Sequence, residues 1–113
     1  VEGFQKMLRF TLLCHQAGVP VVASSHGNPP VCEEGWAMQH EMRLLHEAGL
    51  SPLEVITAAT LEPAKFFRCE DRLGSIEVGK HADLVLYEGK PHEDLDDLWK
   101  VAKVMQAGRW VKP

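Results

Sequence analysis

The side chains best suited to chemistry in this sequence are its six histidines, His15, His26, His40, His46, His81 and His92. An imidazole can ligate a divalent metal or carry a proton near neutral pH. Catalytic zinc, however, needs about three protein ligands converging on one ion, often with short local spacing. None of the six stands in an H-x-H or H-E-x-x-H pattern. His40 and His46 fall on one expected helix, but their separation turns them to different faces. Cys32, Glu33 and Glu34 form a polar cluster with no ligand spacing. Hydrogen-bonded or solvated roles are therefore expected for these residues, and no metal ligand is assigned.

His26 is set apart by its place. It follows the apolar run Val21-Val22-Ala23, in a loop at the carboxyl end of an expected strand, where α/β proteins place their sites. There it could bind a metal or transfer a proton; the alternative is a loop histidine that only forms hydrogen bonds. Ser24 and Ser25 adjoin it, but neighbours on an extended segment point opposite ways, no acidic orienter is evident, and no G-x-S-x-G elbow is present. Serine nucleophile chemistry is not expected. Gly79-Lys80 would need to lead into a helix to cradle phosphate, and a strand is expected to follow. Asp83, inside that expected strand, is read as a structural acceptor of hydrogen bonds.

These residues need elements to hold them. Phe4, Met7, Leu8, Phe10, Leu12 and Leu13 recur at helical spacing across Glu2 to Gln16, and Gly18 stops the helix. Val19 to Ala23 reads as a buried strand of a parallel sheet, and Ser24 to Gly35, rich in Gly and Pro, as a loop. Trp36 to Ala48 is a second helix with Met38, Met42, Leu45 and Trp36 as its stripe, closed by Gly49. Ser51-Pro52-Leu53-Glu54 carries a complete capping box, with Leu53, Val55, Ile56 and Ala59 expected inside. Thr60 is expected to cap one more short helix, with Ala64, Phe66 and Phe67 packed. From Arg68 the character turns polar and then β-rich. Ala82 to Tyr87 is an expected strand, Asp94 to Leu98 a helical turn, and Val101 to Gln106 with Arg109 to Val111 a hairpin around Ala107-Gly108. The fold class is α/β, with one segment over residues 1–67 and a β-rich one over 68–113.

The composition limits the function classes. The chain has 113 residues, 45% of them hydrophobic and 25% charged, an ordinary globular balance. A formal charge of −4 with no basic cluster argues against nucleic acid. Three cysteines, odd in number and widely spaced, suggest no disulfide framework and a reducing compartment. No apolar run reaches the ~20 residues a membrane helix needs, and no signal peptide is read at the start. The cytoplasm is the expected location.

From Glu47 onward the sequence resembles the amidohydrolase superfamily, in particular its imidazolonepropionase, dihydroorotase-like and prolidase-like members. The resemblance rests on Ala48-Gly49-Leu50-Ser51-Pro52, on Ala58-Ala59-Thr60 with Pro63-Ala64, and on the long run Leu73-Gly74-Ser75-Ile76-Glu77-Val78-Gly79-Lys80-His81-Ala82-Asp83-Leu84-Val85-Leu86. Val104 and Gly108-Arg109 complete it, and Ala17 to Val21 with Asn28-Pro29 match more loosely. The long run is highly specific; the helical pieces alone are not.

The resemblance implies a (β/α)8 barrel joined to a small β-sandwich made from both chain ends. This chain would supply the last barrel strand, Val19 to Ser24, the following helices, and the carboxyl-terminal strands of the sandwich. A whole barrel takes about 250 residues, so the family's H-x-H pair, its third ligand and its mid-barrel histidines have no place in residues 1–67. The aspartate that normally ends the last strand is also missing: no aspartate precedes Asp71, and His26 lies nearest that position. The implied chemistry is attack of metal-activated water on C–N bonds of cyclic amides or related rings. Zinc or another divalent metal is implied for intact members, and no cofactor is expected in this chain alone. The alternative is a non-catalytic remnant acting as an oligomerisation or interaction module. Without its sheet the helical segment would expose Val55, Ile56 and Phe66. A homo-oligomer is thus expected, a dimer with exchanged segments being one form, or else a complementary amino-terminal polypeptide.

Overall fold

The computed structural model describes residues 2–25 and 36–111. Four helices come first: α1 (Glu2–Gln16), α2 (Ala37–Ala48), α3 (Pro52–Ala59) and α4 (Leu61–Phe66). Strand β1 (Leu84–Tyr87) follows, then a 3-10 helix (Leu95–Trp99), then β2 (Val101–Gln106) and β3 (Arg109–Val111). Among the described residues no helix is long and apolar enough to cross a membrane.

The helix ends obey local chemistry. Gly49, at φ 118°, ends α2 in a left-handed turn, and the Leu50 N–H reaches back to the Leu45 carbonyl at 3.2 Å. Only a residue without Cβ takes this turn cheaply. A side chain there would also meet Leu12 of α1 at 3.2 Å, so the same glycine lets α1 approach α2 closely. Ser51 and Glu54 form the expected capping box, with Pro52 in the first turn of α3. Thr60 does not cap α4: its hydroxyl instead donates back to the Ile56 carbonyl at 2.8 Å, closing off α3.

Packing corrects the sequence reading in several places. The core gathers around Leu50 and Val55, which are 1% and 0% exposed, with Met42, Leu45 and Ala58. Burying each of the two largest contributes about 1.5–3 kcal/mol. Val55, expected to be uncovered without a sheet, is thus buried, in a cluster that Leu95 and Leu98 of the 3-10 helix also join. Phe66 and Phe67, expected on the packed side of α4, are 71% and 72% exposed, and only Ala64 of that helix is buried. Leu53 also faces outward. Helical periodicity locates a stripe, but what covers it depends on elements distant in sequence. Trp36 lies just outside α2 and stacks on Trp99, ring centroids 4.7 Å apart.

Val19 to Ala23 is extended but forms no strand. A ladder needs a neighbour, and the segment is instead tied to the helices, the Val19 N–H donating to the Cys14 carbonyl at 3.0 Å and the Ala23 N–H to the Ala58 carbonyl at 2.8 Å. Ala23 is buried, Val21 and Val22 are half-buried and Val19 is exposed. The sheet that does form is antiparallel, in the order β1-β2-β3. β1 begins at Leu84, so Asp83 precedes the strand rather than lying within it. The β2–β3 hairpin turns through Ala107 (φ 48°) and Gly108 (φ 76°), the double positive φ of a tight two-residue hairpin turn.

Candidate functional site

The segment expected to carry chemistry is positioned by Ala23, whose burial and hydrogen bond to α3 fix the path into Ser24 and Ser25. Both serines are exposed. His26, together with Cys32, Glu33 and Glu34, lies outside the described residues.

The other histidines are placed separately. His15 Nε2 sits 3.0 Å from Glu54 Oε1, joining the last turn of α1 to α3. His46 Nδ1 lies 2.7 Å from the Leu50 carbonyl, across the turn that ends α2. His40 stands edge-on to Trp99, ring centroids 6.0 Å apart, and His92 Nε2 is 3.6 Å from Glu93. His81 is exposed, and its backbone N–H donates to the Arg72 carbonyl at 2.9 Å. Each of these contacts is local or structural. Among the described residues no group of three His, Cys, Asp or Glu side chains could hold a metal ion.

Two charged groupings were not foreseen. Glu54 accepts from the Ser51 hydroxyl at 2.6 Å and the Ser51 N–H at 2.8 Å while pairing with His15. The Ser51 hydroxyl first, then the Ser51 N–H and His15, hold its carboxyl well below the usual carboxylate range, at about 2. A cleft of about 380 Å³ opens beside this pair, lined also by Val19, Val21, Leu53 and Glu62. It lies at the start of the extended segment, away from Ser24 and Ser25, and Glu62 is paired there with Lys65 at 2.8 Å. The capping box was visible in sequence; the histidine 39 residues away that shares its carboxylate was not.

The second grouping is Lys80, which donates to Ser75 and lies 3.1 Å from Glu77. These contacts hold the Gly79-Lys80 turn and engage the ammonium within its own loop. The Ser75 hydroxyl and Lys80 also draw the Glu77 carboxyl below its ordinary value. Asp83 fulfils its expected role, accepting the Ala107 N–H at 2.7 Å.

This fold is shared with solved structures of hydrolases. A solved structure assigned as a prolidase from Bifidobacterium longum superimposes with a TM-score of 0.86 and 32% identity, over 95% of this chain and 26% of that one. The chain belongs to the amidohydrolase family, whose sequence profile matches residues 10–111. An imidazolonepropionase of Symbiobacterium thermophilum is 35% identical over 101 residues, covering 85% of this chain and 23% of the relative. Adenine deaminase 2 of a Jannaschia species is 35% identical over 78 residues, covering 68% and 12%. The chain therefore spans at most about a quarter of these three proteins. Members of the family generally use divalent metals, and the described residues do not by themselves form a site for one.

Proposed function

We propose that this chain is the carboxyl-terminal portion of a metal-dependent hydrolase of C–N bonds, acting on cyclic amides or related substrates, and that it is not catalytic alone. On this reading residues 1–67 close a (β/α)8 barrel, with Val19 to Ser24 as its last strand, and residues 68–113 contribute strands to a small β-sandwich. The observation that carries the proposal is the family match over residues 10–111 by a chain about a quarter the length of its structural relative. The extended segment with one hydrogen bond to α3 supports it, since a barrel strand gains its remaining partners from neighbouring strands.

When bound, the family's metal would activate water for attack on the scissile carbon. In this chain His26 occupies the place of the family's aspartate and would act as proton acceptor in the completed barrel. An imidazole can take that proton without supplying a carboxylate's charge. The proposal locates the protein in the cytoplasm, where Cys14 and Cys69 would stay as the free thiols they are here.

Co-expression with an amino-terminal portion of a related amidohydrolase tests this reading. The expected result is amide hydrolysis and one bound divalent ion in the complex and neither in the 113-residue chain alone, with His26→Ala lowering turnover about 100-fold. Turnover by the chain alone would refute it. A second reading, a non-catalytic interaction module, draws support from the exposure of Phe66 and Phe67 at 71% and 72%. Failure to gain metal or activity with any amino-terminal portion favours that reading.

A further inference from the structure

Strands β1 and β2 are antiparallel neighbours, yet residues 88–100 intervene between them. A hairpin joining such neighbours needs only about 2–5 residues. The longer connection is closed at its neck, where the Glu88 N–H donates to the Lys100 carbonyl at 2.7 Å. Inside it the Asp97 carboxylate accepts from the Lys90 N–H at 2.7 Å and from the Lys100 ammonium at 2.6 Å. The connection is thus a compact loop with internal support of its own. We infer that it is a clasp, binding the small sheet to α2 so that helices and sheet open as one cooperative unit.

The 3-10 geometry of Leu95–Trp99 sorts its side chains for this task. With about three residues per turn, Leu95 eclipses Leu98 and Asp96 eclipses Trp99. Leu95 and Leu98 are 4% and 5% exposed, in the cluster with Met42 and Leu45. Asp96 and Trp99 meet another side of α2. Asp96 Oδ1 lies 3.2 Å from the Arg43 guanidinium, and the Trp99 ring stands 4.7 Å from Trp36 and 6.0 Å from His40 between centroids. Trp36, His40 and Arg43 follow one another at four and three residues, the spacing of a single helix face. Two rows on one short helix therefore match a core row and a surface row of α2. The sheet needs the attachment: every residue of β3 is exposed, and a few short strands hold poorly unless one face packs against something. Tyr87, at the end of β1 where the loop begins, packs on the same cluster. The inference does not depend on the catalytic reading, and its test contains no activity measurement.

Amide hydrogen exchange of the 113-residue chain, followed residue by residue by NMR, decides it. In the wild type the ladder amides of β1 and β2 and the helical amides of α2 and α3 should exchange through one opening, with the same dependence on added urea. Asp96→Ala combined with Trp99→Ala removes the surface row and leaves Leu95 and Leu98 in place. In that variant the sheet amides should lose at least about 10-fold in protection relative to the helical ones, the scale of one ion pair and one aromatic stack. Trp36→Phe keeps a ring against Trp99 and should preserve the coupling. Ile56→Val, a mild change at the edge of the core on α3, should lower both sets alike, which separates the clasp from a general loss of stability. Sheet amides that exchange through a separate opening in the wild type, equal losses in both sets when the surface row is removed, or a wild type without protected amides would each overturn the inference.

Discussion

The carboxylate of Asp83 accepts a hydrogen bond from the Ala107 N–H at 2.7 Å, joining the residue before β1 to the turn between β2 and β3. Beside it the Gly108 N–H donates to the Ala82 carbonyl at 3.0 Å. The two bonds pin a hairpin tip whose turn includes a non-glycine residue at positive φ, Ala107 at 48°. Left-handed backbone costs an alanine roughly 1 kcal/mol, and the anchoring offsets it.

Replacing Asp83 with Ala should therefore destabilise the fold by about 1 kcal/mol, the net worth of such a bond at an exposed position. Ala107→Asn, at a turn that favours asparagine, should raise stability by a few tenths of a kcal/mol or more. Urea midpoints measure both, and an Asp83→Ala midpoint equal to wild type would remove the anchoring role.

Glu54 leads to a pH prediction. Its carboxyl is held at about 2 in the folded chain, against an ordinary 4.5, chiefly by the Ser51 hydroxyl and then the Ser51 N–H and His15. A carboxyl lowered on folding contributes stability that is complete above its unfolded value and is lost as pH falls toward the folded one. Stability should thus decline between pH 4.5 and about 2. Because the side chain is 47% exposed, solvent screening keeps the effect modest. Glu54→Gln should be less stable than wild type at neutral pH and show a shallower acid slope in that window. Equal slopes for the two proteins would remove Glu54 from the account.

Gly74 adopts φ 91°, and a Cβ there would stand 2.7 Å from Ala64 Cβ and 3.0 Å from both the Leu61 Cα and the Thr60 carbonyl oxygen. Backbone atoms of α4 cannot move aside as a flexible side-chain end can. Gly74→Ala should cost more than about 2 kcal/mol, combining backbone strain with a steric clash. Gly79→Ala, where φ is 94° but nothing lies within 4 Å, carries the backbone strain alone and should cost roughly half as much. Equal thermal unfolding midpoints for the two variants would show that packing against α4 is not the cause.

The sequence by itself determined the features that depend on a few adjacent residues. The capping box at Ser51 and Glu54, the Gly49 stop and the Ala107-Gly108 hairpin were legible because each requires particular residues at fixed short offsets. The family resemblance was legible in the run from Leu73 to Leu86 for a similar reason, its specificity residing in contiguous chain. Tertiary structure decided what covers each apolar stripe. Val55 is buried in a cluster that Leu95 and Leu98 join from beyond β1, whereas Phe66 and Phe67, as apolar in sequence, stay 71% and 72% exposed. The same holds for charge: Glu54 announces its cap locally, but its link to His15 exists only because α1 packs near α3. Local chemistry acts over a turn of chain, while burial and pairing depend on which distant segments the fold brings together, and periodicity does not encode that choice.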